Sequence, residues 1–147
     1  KEITHSYLCD RELRPAAIMV SRYGLKDMTL LPPEEIDTRI GDGELDVVVA
    51  ADVLEHFTTR ELVDSQCAVF ARKLAPHGRL LLSGPTETAV YRLARRVAGF
   101  SGDYHHSNIL DLERVLLELG WQRQHAIELP AWLPVVLFRV TVWEMPL

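Results

Sequence analysis

Apolar residues recur along this chain with two periods, and the alternation between them predicts its elements. THSYLC, residues 4–9, reads as a short strand ending at Asp10. Leu13, Ala17 and Val20 then share one helical face, Pro15 suits a first turn, and Gly24 stands where a helix stops. MTLL, residues 28–31, predicts a second short strand, cut off by Pro32 and Pro33. DTRIGDGE is a polar turn. LDVVVAA, residues 45–51, is a continuous apolar run rich in β-branched residues, the pattern of a strand covered on both faces. It delivers Asp52, Glu55 and His56 at its end.

Thr58 with Glu61 has capping-box spacing, and Val63, Cys67, Phe70 and Leu74 repeat at helical intervals after it. APHG ends that helix, and RLLLS is another buried strand, broken by Gly84-Pro85. Val90, Leu93, Ala94 and Val97 mark the inner face of an amphipathic helix that carries Arg92, Arg95 and Arg96 on its other side. FSGDYHH is a loop. Ser107 or Asn108 caps a helix with Ile109, Leu112, Leu116 and Leu119 inward, and Gly120 closes it. Two last strands, near 122–129 and 136–143, are joined by PAWLP; the second alternates Phe138, Val140 and Val142 against Arg139 and Thr141. Strand–helix alternation with short connections predicts an α/β, Rossmann-like three-layer sandwich with a mostly parallel sheet and an antiparallel C-terminal strand. We read residues 1–147 as a single domain. In such sheets ligands bind beyond the carboxyl ends of the strands, which is where Asp52 falls.

Composition narrows the function. A net charge of −5 argues against a nucleic-acid binder that works through bulk charge. The two cysteines, Cys9 and Cys67, have no metal or redox spacing and read as small buried residues of a protein in the reducing cytoplasm. No apolar run approaches the roughly 18–20 residues that span a bilayer.

With these elements in place, LDVVVAADVLEHF, KLAPHGRLLLSGPTE and LLELGWQ together resemble class I S-adenosylmethionine-dependent methyltransferases of the small-molecule type. That family has an acid-hydrophobic strand ending in D-x-L-E-H, a helix ending in K-x-x-x-x-G, and a later leucine-rich helix ending in Gly-aromatic. The resemblance covers nearly the whole chain from Tyr7. It implies S-adenosyl-L-methionine as cofactor and a small-molecule, sugar or lipid-linked acceptor. Asp10 matches the acid that hydrogen-bonds the ribose hydroxyls, with Arg11 beside it, and a carboxylate accepts two such donors well. Ala50, Ala51 and Asp52 match the segment beside the methionine part, where small side chains let a ligand approach the backbone. Two departures stand out. The family's glycine-rich loop, E/D-x-G-x-G-x-G, is expected upstream of Lys1, and with it the strand that lies centrally in the family's sheet. Pro32 and Pro33 occupy the region where an acid often stands near the adenine.

GDYHH follows the segment where this family builds its acceptor pocket. His105 or His106 is there as a base for an acceptor hydroxyl or amine, and Tyr91 and Tyr104 as acceptor-side residues. The histidine pair lacks a third ligand of credible spacing, so no metal is expected. Arg92, Arg95 and Arg96 read either as a solvated helix face or as contacts to a phosphate-bearing or membrane-surface partner. Oligomerisation is left open. The rival reading is a methyltransferase-like module that binds or assembles without catalysis; an NAD-dependent dehydrogenase fits poorly, because DVLEHF is not its pattern.

Overall fold

The computed structural model describes residues 3–99, 106–132 and 134–146. They fall into two compact units that divide between Gly41 and Asp42.

The first unit is a βαβ arrangement. Strand β1 (Ser6–Cys9) pairs in parallel with β2 (Met28–Leu31), Ser6 opposite Met28 and Cys9 opposite Leu31. Helix α1 (Leu13–Tyr23) makes the crossover, followed after β2 by the single turn α2 (Ile36–Arg39). The inner face of α1 is Leu13, Ala16 and Val20, with Ala16 the buried member, whereas Ala17 points outward. Sequence spacing alone did not separate these neighbours, because Leu13 and Val20 are compatible with either alanine. Gly24 takes φ +60° and donates to Ser21, while Leu25 donates back to Val20; this left-handed cap is why glycine stands there. Cys9 is exposed at the end of β1, contrary to the expected buried thiol.

The second unit holds a four-stranded sheet. Its strands are β3 (Leu45–Ala51), β4 (Leu74–Pro85), β5 (Gln122–Leu129) and β6 (Phe138–Glu144), in the order β3-β4-β6-β5. β3 and β4 are parallel, with α3 (Arg60–Lys73) as crossover; β6 is antiparallel to both β4 and β5. Helices α4 (Ala89–Val97) and α5 (Ile109–Glu118) follow β4. One face of the sheet carries the core: Ala50, Leu80, Leu82 and Trp143 pack with Val63 and Cys67 of α3 and Ile109, Leu112 and Leu116 of α5. β3 is therefore covered on one face, not on two. Val48 and Ala50 point into the core, and Val49, on the other face, is 65% exposed.

Three details of sequence reading are corrected here. Helix α3 is capped by Thr59, whose hydroxyl accepts from the Leu62 amide, and not by Thr58. The turn leading into RLLLS belongs to β4, with a register irregularity between its pairing at Leu45 and at Val47. Gly78 is required there: a Cβ would lie 2.8 Å from the Ala75 carbonyl oxygen. On β6 the inward residues are Thr141 and Trp143, both fully buried, and the half-buried face is Phe138, Val140 and Val142. The Thr141 hydroxyl and the Trp143 indole are both satisfied on that face. The Trp143 indole donates to the Thr141 hydroxyl at 2.7 Å, and that hydroxyl donates to the Leu82 carbonyl.

Arg139 shares the buried face and reaches Glu113 of α5, which is itself buried. Arg123 holds the same carboxylate at 2.6 Å, and Arg139 also pairs with Glu128. Glu113→Ala leaves two cations without their common anion, one of them half-buried, and should cost about 3 kcal/mol in denaturant unfolding. Glu118→Ala removes an exposed bridge to Arg60 and should cost less than about 1 kcal/mol. Burial likewise pushes the Cys67 thiol up to about 12. A thiol-specific chromophore at neutral pH should leave Cys67 unreacted in the native protein and modify it after denaturation, with Cys9→Ser used to isolate it.

Candidate functional site

The carboxyl ends of β3 and β4 define the site. Ala51 pairs with Ser83, and the Asp52 amide extends the ladder by donating to the Ser83 carbonyl at 3.2 Å. Asp52 then turns the chain at φ +52°, a left-handed backbone that a non-glycine residue adopts at some cost. A 3-10 turn, Leu54–His56, follows, with Leu54 and Glu55 completely buried and His56 exposed. Burial of Glu55 was not legible in the sequence, where an acid next to an exposed turn reads as solvated. The Glu55 carbonyl accepts from the His106 amide at 2.8 Å and so ties the approach to α5 onto this turn.

The chain leaving β4 converges on the same place. The Thr86 hydroxyl donates to the Val136 carbonyl at 2.6 Å, Glu87 takes φ +50°, and Thr88 caps α4 by accepting from the Tyr91 amide. Tyr91 lies edge-on to Phe138, with ring centroids 5.4 Å apart. The Arg95 guanidinium sits 5.8 Å from the Tyr91 ring and 3.4 Å from Glu87. Burial pushes the Tyr91 phenol up from its ordinary value; Glu87, Asp52 and Glu55 push the same way, and Arg95 opposes them. Asp52 and Tyr91, expected on the cofactor and acceptor sides, are thus electrostatic neighbours.

Helix α4 presents the face opposite to the expected one. Val90, Leu93 and Val97 are exposed, Leu93 by 61%, while Tyr91 and Arg95 turn inward; the side chain of Ala94 lies outside the described residues. The aromatic contact to Phe138 and the Glu87 ion pair hold this rotation, and neither was visible as a periodicity. Arg92 and Arg96 are exposed. A cavity of about 230 Å³ opens between α4 and the start of α5, lined by Glu87, Arg92, Arg95, His106, Ser107, Asn108 and Asp111. A second cavity of about 170 Å³, around Ala75–Gly78, lies at the amino end of the Val47–Arg79 ladder, away from the end where ligands of such sheets bind.

The other expected residues are placed as follows. Asp10 ends β1 in the first unit, where its Oδ1 accepts from the Glu12 amide at 2.9 Å; Arg11 is exposed beside it. The Ala50 side chain is buried in the core of the second unit, whereas Ala51 is exposed. Tyr104 and His105 lie outside the described residues; His106 is exposed. Among the described residues no group of three or more potential ligands could hold a metal ion, and no helix is long and apolar enough to cross a membrane.

No protein-family model matches the sequence, and no curated protein does. Solved structures do. The N-methyltransferase NodS from Bradyrhizobium japonicum, in complex with S-adenosyl-L-homocysteine, superimposes with a TM-score of 0.71 at 14% identity, over 97% of this chain and 67% of NodS. An S-adenosylmethionine-dependent methyltransferase from Methanosarcina mazei gives 0.69 at 14% identity, over 98% of this chain and 84% of its own. Magnesium protoporphyrin IX methyltransferase from Synechocystis, with bound S-adenosylhomocysteine, gives 0.61 at 20% identity, over 95% of this chain and 64% of its own. The chain has the methyltransferase fold. The Rossmann-like, mixed α/β class expected from the strand–helix alternation is the one observed.

The packing around Tyr91 has a measurable consequence. Arg95 favours the phenolate, so Arg95→Met should move the Tyr91 ionisation further upward. Alkaline difference absorbance against Tyr91→Phe, which removes this phenol from the titration, reads that shift; an unchanged titration would place Arg95 away from the ring.

Proposed function

We propose that this chain carries out S-adenosylmethionine-dependent methyl transfer to a small-molecule, sugar or lipid-linked acceptor. The observation that carries this reading is the match over nearly the whole chain to methyltransferase structures, two of which hold the demethylated cofactor product. The residues fit such a ligand. Asp10 spends one carboxylate oxygen on the Glu12 amide and keeps acceptor capacity for hydroxyl donors. At the end of β3, Ala51 and Asp52 are both exposed. By the resemblance, Asp10 and Arg11 take the ribose, and Ala50, Ala51 and Asp52 the methionine portion.

When bound, S-adenosylmethionine supplies an electrophilic methyl group on a sulfonium. The protein's own contribution is to hold the acceptor in line with that methyl, which needs positioning more than covalent chemistry. Tyr91 and Tyr104 are proposed on the acceptor side. His105 or His106 takes the proton where the acceptor is a hydroxyl or a protonated amine. The cysteines, both unpaired thiols, accord with a reducing cytoplasmic setting.

Calorimetry with S-adenosylhomocysteine on the intact protein tests the reading. Binding is expected, weakened about tenfold or more by Asp10→Ala or Asp52→Ala through loss of a charged acceptor. A cooperatively melting protein that gives no binding heat would be the non-catalytic module instead. Unchanged turnover in both His105→Ala and His106→Ala would remove the base assignment.

A further inference from the structure

The cavity between α4 and α5 is lined by two arginines and two carboxylates, and the pairing among them is uneven. Arg95 and Glu87 satisfy each other at 3.4 Å. Asp111 accepts from the Asn108 side chain at 2.6 Å and lies 3.5 Å from Arg114. Arg92 faces the same space and has no ion pair with a carboxylate among the described residues. Ser107 also lines the cavity, and its buried hydroxyl makes no hydrogen bond among the described residues. His106 adds an exposed ring with a donor nitrogen. Of the first amides of α5, those of Leu110 and Asp111 are taken by Asn108 Oδ1.

We infer that this cavity binds an anionic end group, a carboxylate or a phosphate, through Arg92, with the Ser107 hydroxyl and the His106 ring as further donors. A guanidinium meets either oxyanion with two parallel N–H donors, and the unpaired Ser107 hydroxyl beside it has a donor to spare. At about 230 Å³ the cavity is smaller than the roughly 300–1,000 Å³ that drug-sized ligands occupy, so it takes one end of a molecule. It adjoins the residues that follow the carboxyl ends of β3 and β4, since Glu87 and Arg95 belong both to its lining and to the surroundings of Tyr91. Assigning the end group to the methyl acceptor rests on the methyltransferase reading; the anion pocket itself does not.

The arginine Nε–H resonances of the full chain, followed while inorganic phosphate or acetate is added at low ionic strength, test this. The Arg92 resonance should move saturably, and the anion that binds more tightly shows which end group the pocket suits. Arg92→Gln should weaken the preferred anion about tenfold or more, as expected for loss of a bidentate charge-assisted contact. Ser107→Ala should weaken it less, and Arg22→Gln, in the other unit, should leave it unchanged. An Arg92 resonance that stays still with both anions overturns the inference, as does an Arg92→Gln protein that titrates like the parent. S-adenosylhomocysteine calorimetry on the same sample keeps the two readings apart. Cofactor binding with a static Arg92 removes the pocket alone. A responsive Arg92 without cofactor binding removes the methyl-transfer reading and leaves the anion pocket standing.

Discussion

The parallel ladder between β3 and β4 is the interaction on which the site depends. Val47 to Ala51 pair with Arg79 to Ser83, and the ladder runs one bond past the strand, from the Asp52 amide to the Ser83 carbonyl. A slip of β3 by one residue against β4 would turn Ala50 out of the core and bring Val49 in. Register is held because the two faces differ in cover: Val49 is 65% exposed, while Ala50 is 2% exposed. Once that register is set, Asp52 and the 3-10 turn after it can stand only where they do. The left-handed backbone at Asp52 and at Glu87 then folds two chains toward each other at the carboxyl end of the sheet.

The buried polar groups of this unit show how the core tolerates them. Thr141 and Trp143 bond to each other and to the Leu82 carbonyl, so a hydroxyl and an indole occupy the apolar face without an unmet donor. Glu113 is enclosed by two arginines. Lys73 is 3% exposed, with its ammonium on Asp42 at 2.8 Å, at the end of the helix and strand that make the parallel pair. Thr141, Glu113 and Lys73 each have a partner distant in sequence, so the polar–apolar alternation of a strand is a weak guide to its direction.

Much of the fold was legible for that reason only in outline. Strand and helix existence followed from β-branched runs, helical spacing and the glycines at 24 and 120, and the bounds of β1, β2, β3 and α5 agree closely with the runs that predict them. Facing was less legible. β6 was read with threonine outward because a hydroxyl counts as polar; the cross-strand carbonyl at Leu82 decided otherwise. α4 was read with its valines and leucine inward, yet Tyr91 against Phe138 and Arg95 against Glu87 turn it the other way. Of the residues at this end of the sheet, Asp52, Tyr91 and His106 were named from motif and position. Glu55, Glu87 and Asp111 were missed, since their role comes from where the turn and the two helices place them.

The charge pattern at this end of the sheet suits a cationic donor and an anionic acceptor at once. Burial pushes the Tyr91 phenol up, and Glu87, Asp52 and Glu55 push the same way against Arg95, so three carboxylates act on the space around that ring. A sulfonium bears positive charge, so such a surrounding favours holding it and does not favour a second cation beside it. Arg95 is compatible because Glu87 neutralises it within the same cluster. Arg92 is three residues earlier on α4, faces the cavity at the start of α5, and makes no ion pair with a carboxylate among the described residues. Positive and negative potential are thereby separated along one short helix. Such a separation orients a molecule that carries a nucleophile at one end and an oxyanion at the other, and it does so without a covalent role for any side chain.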